Sequence, residues 1–105
     1  MDRVAAFKAF VANQPDDPFP VYSLAMELRN QEDHDQAQTY FDLLRDKFPD
    51  YLAGYFHAGA NLTALGRKQE AAERYREGID KAGRAGDAKT RDELQVALAE
   101  VEGTP

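Results

Sequence analysis

No cysteine occurs in the 105 residues, so disulfide frameworks, thiolate metal sites and cysteine nucleophiles are excluded. The absence fits a reducing compartment. Histidine is scarce, at two residues, His34 and His57. That leaves little with which to build a catalytic site. Cations are the minority charge, with 13 Lys and Arg against 19 Asp and Glu, for a net charge of −6. A general nucleic-acid binder must neutralise phosphates with Lys and Arg, so this balance argues against nucleic acid and against anionic membranes. No apolar run approaches the ~20 residues of a transmembrane helix. The start, Met1-Asp2-Arg3, does not lead into a long apolar stretch, so no signal peptide is expected. No Gly-rich phosphate loop is present, and Ser23 has no partner at a hydrolase-like offset. Strand-like alternation is missing too, as is any linker long enough to separate two domains. The expectation is one cytoplasmic, soluble, all-α domain over 1–105, with no cofactor, no metal and no enzymatic activity.

What the chain does contain is helical periodicity almost throughout. Val4, Phe7 and Val11 mark a helix opened by Asp2 and followed by Pro15. Val21, Leu24, Ala25 and Leu28 fall at i, i+3, i+4, i+7 on a second. Asp17 suits its N-cap, and Pro18 and Pro20 lie in its first turn, where a missing N–H costs nothing. Ala37, Phe41 and Leu44 mark a third, ending before Pro49. Asp50 opens a fourth through Tyr55, Ala58, Gly59 and Leu62, with Gly66 as a left-handed stop. Ala71, Tyr75, Gly78 and Ile79 mark a fifth. Gly83 and Gly86 punctuate a longer turn, and Asp87 opens a sixth with Leu94, Leu98 and Val101. The helices are expected over 2–13, 17–30, 34–47, 51–65, 68–82 and 87–101, and the tail Gly103-Thr104-Pro105 is expected to fray.

One pattern recurs at a period of 34: Ala25 and Gly59, Leu28 and Leu62, Ala37 and Ala71, Phe41 and Tyr75. Small residues at matched places on both helices of a hairpin let the backbones approach closely, with Phe41 and Tyr75 filling the space beyond. A helical repeat of this length signals a solenoid. The arrangement resembles the tetratricopeptide repeat, or TPR. Its early large position is held by Val21 and Tyr55, its Leu-Gly pair by Leu24-Ala25 and Ala58-Gly59, and its closing proline by Pro49. The resemblance implies a right-handed α-α superhelix of about six antiparallel helices. Residues 1–15 form a half-repeat helix, 18–51 the first repeat, 52–85 the second and 86–102 a capping helix. Departures are Leu44 where the family favours Ala, Gly83 in place of a proline, and Arg3 in place of a small residue.

In this family the first helix of each repeat, helix A, lines a concave groove. Carried over, the groove positions are Phe19, Tyr22, Met26, Arg29 and Asn30, then Ala53, Phe56, Ala60, Thr63 and Ala64. Tyr22, Met26 and Phe56 are large apolar residues on a face that the core pattern does not use. Aromatic anchors carry much of the energy of interfaces, so the resemblance implies a peptide or helix of a partner protein. The bland alternative is that these side chains pack on one another or beneath the capping helix. The Lys, Arg and Asn clamp with which chaperone-binding members hold a C-terminal carboxylate is absent, Arg29 being the one cation among these positions. A second functional reading pairs two copies of the chain through the same apolar face, as a structural homo-oligomer.

Other polar clusters have plain explanations. Glu32-Asp33-His34-Asp35 offers metal-ligand types, but Asp33 can cap the third helix and acids favour its N-terminal dipole. His57 is read as a surface or packing residue. Glu73, Arg74, Arg76, Glu77, Asp80 and Lys81 mix signs along one helix and read as a solvated outer face.

Overall fold

The computed structural model describes residues 2–103. Among them are six α-helices and no strand: α1 (Arg3–Asn13), α2 (Pro18–Asn30), α3 (His34–Lys47), α4 (Ala53–Ala64), α5 (Lys68–Ala85) and α6 (Ala88–Glu102). Thr104 and Pro105, part of the tail expected to fray, lie outside the described residues. The chain divides into two compact units, one ending at Tyr51 and the other beginning at Leu52.

In the first unit α2 packs against both α1 and α3. Its start follows from local chemistry. Pro18 has no N–H to lose at the first helical position, and the Phe19 N–H donates to Asp17 Oδ1 at 3.0 Å. Asp2 caps α1 in the same way, accepting from the Val4 N–H at 3.0 Å. Val21, Leu24, Ala25 and Leu28 of α2 meet Ala37, Phe41 and Leu44 of α3 in the core, all buried. Arg3 on α1 pairs with Glu27 on α2 at 2.8 Å, and the Lys47 ammonium donates to the Pro15 carbonyl at 2.8 Å.

In the second unit α5 packs against both α4 and α6. Tyr55, Leu62, Ala71, Tyr75, Leu94 and Ala97 form the core cluster, with Ile79, Leu98 and Val101 at its edge. Two glycines set the helix spacing. A Cβ on Gly59 would overlap the Tyr75 ring, and one on Gly78 would stand 2.6 Å from the Tyr55 Cβ and 2.9 Å from a Leu94 methyl. The expected close approach of the hairpin therefore has a physical cause: an aromatic ring occupies the space a side chain would need.

The turns repeat as faithfully as the helices. Asp33, Arg67 and Asp87 each donate their N–H to the carbonyl five residues back, Leu28, Leu62 and Ala82, at 2.9 Å. The residue before each donor is left-handed: Glu32 (φ 62°), Gly66 (φ 77°) and Gly86 (φ 73°). This bond pattern closes the helix carbonyls left open at a C-terminus. The donor then becomes the N-cap of the next helix. A second turn type follows α1 and α3, where Gln14 (φ −131°) and Phe48 (φ −133°) stand 34 apart, each before a proline.

Several expectations need correction. The turn before α6 is not longer than the others. Instead α5 runs on to Ala85, because Gly83 stands where Pro15 and Pro49 break the earlier helices. Without a proline, the preceding residue is not forced out of the helical region. α4 starts at Ala53 with Leu52 at the cap position and no side-chain cap bond, so Asp50 lies in the turn before it. Arg74 is buried rather than solvated. It shares the stripe Ala71, Arg74, Tyr75, Gly78, at i, i+3, i+4, i+7, and so faces inward despite its charge.

Candidate partner-binding faces

The helical period separates two faces on each A helix. On α2 the stripe Val21, Leu24, Ala25, Leu28 is buried. The neighbouring stripe carries Tyr22, Met26 and Arg29, all half-buried, with Phe19 60% exposed and Asn30 exposed at its ends. The Tyr22 ring lies 6.4 Å from Phe19 and 5.4 Å from Tyr51, both tilted. Burial pushes the Tyr22 hydroxyl above the usual tyrosine range, with Arg29 opposing. Burial raises Tyr51 as well, reinforced by Tyr22 and Asp17. Both phenols therefore stay neutral at physiological pH, and the cluster offers aromatic surface with hydroxyl groups rather than charge.

On α4 the buried stripe is Gly54, Tyr55, Ala58, Gly59, Asn61 and Leu62. Phe56, 36% exposed, stands beside it, with its ring edge-on to His57 at 5.3 Å and tilted to Tyr75 at 6.5 Å. Ala60 and Thr63 are half-buried, and Ala53 and Ala64 exposed. The Thr63 hydroxyl donates to the Gly59 carbonyl at 2.9 Å, so its proton serves its own helix.

Tyr51 belongs to the aromatic cluster on α2 but was not legible as such. It sits in the turn before α4, outside any helical period, and no repeat position points to it. The acidic segment acts as a cap: the Gln36 N–H donates to Asp33 Oδ1 at 3.2 Å, and its side-chain amide donates to Oδ2 at 2.8 Å. Gln38 and Asn61 are buried polar residues that helical spacing alone did not single out. Gln38 donates to Asp42 at 3.0 Å.

No protein-family model and no curated protein matches the chain. Solved structures do. A tetratricopeptide repeat domain protein from Salinibacter ruber is similar in two forms. Its solution structure shows 35% identity, covers 87% of this chain and 92% of that one, and superposes with a TM-score of 0.82. Its crystal structure shows 36% identity, covers 83% and 98%, and gives a TM-score of 0.77. A protein from Bordetella parapertussis shares the fold at 22% identity, covering 97% and 89% with a TM-score of 0.81. With the 34-residue period, the paired small residues and the recurring turns on the same positions, this chain belongs to the tetratricopeptide repeat family and has its all-α, helical-repeat fold.

Proposed function

We propose that this chain is a protein-interaction module that takes up a peptide or helix of a partner protein on its A-helix faces. Phe19, Tyr22, Met26, Arg29 and Asn30 serve on α2, and Phe56, Ala60 and Thr63 on α4. The observation that carries the reading is the exposure of Phe19 and Phe56, at 60% and 36%, on helices whose core stripes are fully covered. Aromatic surface gathered beside a satisfied core supports a contact surface. The family is an interaction scaffold and not an enzyme fold. Among the described residues no helix is long and apolar enough to cross a membrane. The cysteine-free composition suits work in the cytoplasm.

Selection of displayed random peptides on the immobilised protein tests this. Wild type should enrich sequences with apolar and aromatic anchors, without dependence on a free C-terminal carboxylate. The Tyr22→Ala/Phe56→Ala variant should lose that enrichment while keeping its helical circular dichroism. Equal enrichment on the variant would place the contact elsewhere. A variant that retains folding but turns a self-associating wild type into a monomer would instead support pairing of two copies through these aromatics.

A further inference from the structure

Two turns of the first unit lie side by side at the start of α2. One is Pro15-Asp16-Asp17. The other, Pro49-Asp50-Tyr51, is its counterpart 34 positions on. The Lys47 ammonium ties them together by donating to the Pro15 carbonyl at 2.8 Å. The Tyr51 N–H donates to the Phe48 carbonyl at 3.0 Å, which folds the second turn back on itself. The Tyr51 ring thereby comes within 5.4 Å of Tyr22, tilted by 51°. Tyr22 in turn lies 6.4 Å from Phe19, tilted by 45°. Three mutually inclined rings thus stand at the N-terminal end of α2, two half-buried and Phe19 largely exposed.

The charge at this end is negative. The Asp17 carboxylate sits at the start of α2, where Oδ1 accepts the Phe19 N–H at 3.0 Å. A carboxylate offers about four lone-pair sites, and this bond occupies one. Asp17 also lies near enough to Tyr51 to help raise its hydroxyl pKa. Asp16 and Asp50, both exposed, adjoin Asp17 and Tyr51, and residues 14–17 and 48–51 hold no base. Lys47, the nearest base in the chain, is engaged by the Pro15 carbonyl and the Phe48 ring. Arg29 acts on the Tyr22 hydroxyl from about two turns farther along α2, at the end opposite Asp17. The ring faces add to the negative character, because an aromatic quadrupole is negative over the ring and attracts cations.

We propose that Phe19, Tyr22, Tyr51 and Asp17 together receive an arginine side chain of the partner segment. This rests on the reading of the A-helix faces as a binding surface, and adds to it Tyr51, Asp17 and the charge of the ligand. A guanidinium is planar, weakly hydrated and always charged, so it stacks on aromatic rings while pairing with a carboxylate. An ammonium is a compact point charge that holds its water more tightly, and it suits the rings less well. An acidic side chain is opposed by Asp16, Asp17 and Asp50. The net charge of −6 draws a basic segment toward the molecule as a whole. The rings and Asp17 decide where its arginine settles.

Titration of the full chain with Nα-acetylarginine methylamide, followed by backbone amide chemical shifts, tests the site without any peptide. Shifts should gather at residues 17–22 and 51. The uncharged glutamine analogue should produce none there, and the lysine analogue should bind more weakly than the arginine probe. Asp17→Asn removes the charge but keeps the helix cap, since Asn and Asp serve about equally at that position. Asp17→Asn and Tyr51→Leu should each weaken the arginine probe roughly 2–5-fold. Phe19→Ala reads the ring contribution if circular dichroism shows Tyr51→Leu to be unfolded. Random peptides selected on wild type should carry arginine beside their apolar anchors. Those selected on Asp17→Asn should keep the anchors and lose the arginine. Apolar anchors without arginine on wild type overturn this site and leave the A-helix reading standing. Probe shifts at the cluster with no peptide enriched support the site and count against the A-helix surface. Shifts spread over the acidic surface at large, or an arginine probe bound equally well by Asp17→Asn, overturn the proposal, because the overall charge then accounts for the binding.

Discussion

Glu32 is the only described non-glycine residue with positive φ, at 62°. Its counterpart 34 positions on is Gly66, at 77°. Both make the same turn, so the comparison isolates one residue's backbone strain. A side chain in the left-handed region costs roughly 1–2 kcal/mol, offset in part by glycine's extra freedom in the unfolded chain. Glu32→Gly should therefore raise stability by about 0.5–1 kcal/mol, read as a higher denaturant midpoint at unchanged slope. Gly59 presents the converse case. Even one methyl there meets the Tyr75 ring, whereas Ala25 is accommodated at the equivalent place in the first unit. Gly59→Ala should cost about 1–3 kcal/mol through overpacking. Combined with Tyr75→Leu, which removes the ring, the cost should be less than the sum of the two single changes. A double-mutant cycle measures that coupling.

At the scale of elements, one absent proline decides the length of α5. Gly83 lies inside this helix, exposed, with nothing within 4 Å of where its Cβ would stand. Gly83→Ala should stabilise by about 0.5–1 kcal/mol. Restoring the repeat's proline with Gly83→Pro should cost ~3 kcal/mol or more, because it removes a helical hydrogen bond in the interior of α5. Chemical denaturation of both variants checks the two signs together. The start of α6 depends on Asp87, whose carboxylate accepts from the Thr90 hydroxyl at 2.7 Å and the Thr90 N–H at 3.0 Å. The hydroxyl bond, then the backbone bond, hold its pKa below the usual aspartate value. A depressed folded pKa means the contribution is present above the unfolded pKa and lost as pH falls through the folded one. Melting temperature should therefore drop less steeply for Asp87→Asn than for wild type as the pH falls below the ordinary aspartate pKa, and the two should stay parallel above it. Most of this level was legible in the chain. The helix starts at Asp2, Asp17, Asp33 and Asp87 and the stop at Gly66 follow from capping chemistry and backbone freedom. The length of α5 was not, because two glycines three residues apart, Gly83 and Gly86, offer equally good stops. Only the helix that follows shows which one turns left-handed.

For the whole molecule, the question is whether the exposed aromatics serve binding or stability, and the sequence could separate the two faces only in part. The buried stripes were readable because apolar residues recur at helical spacing. Arg74 and Asn61 were not, since their polarity hides inward-facing positions on those same stripes. Tyr51 was missed because a turn has no period. The structure therefore makes a sharper contrast than the pattern could. Leu28 is buried in the first unit, and its truncation should cost ~2–5 kcal/mol through the cavity it leaves. Phe19 stands largely in solvent and Phe56 partly so. Phe19→Ala should cost little, within the ~0.5 kcal/mol typical of surface changes. Tyr22 is intermediate, because its ring touches Phe19 and Tyr51. Tyr22→Ala should fall between the two and should return the Tyr51 hydroxyl toward its ordinary pKa, since Tyr22 contributes to raising it. An alkaline titration of tyrosine absorbance reads that shift directly. The same raised values set a sign for the molecule. The folded state keeps both phenols neutral, so their contribution is whole below the unfolded pKa and is lost as pH rises through the folded values. If Phe19→Ala and Tyr22→Ala proved as costly as Leu28→Ala, the aromatic face of α2 would belong to the core, and the case for a partner-binding surface there would fall.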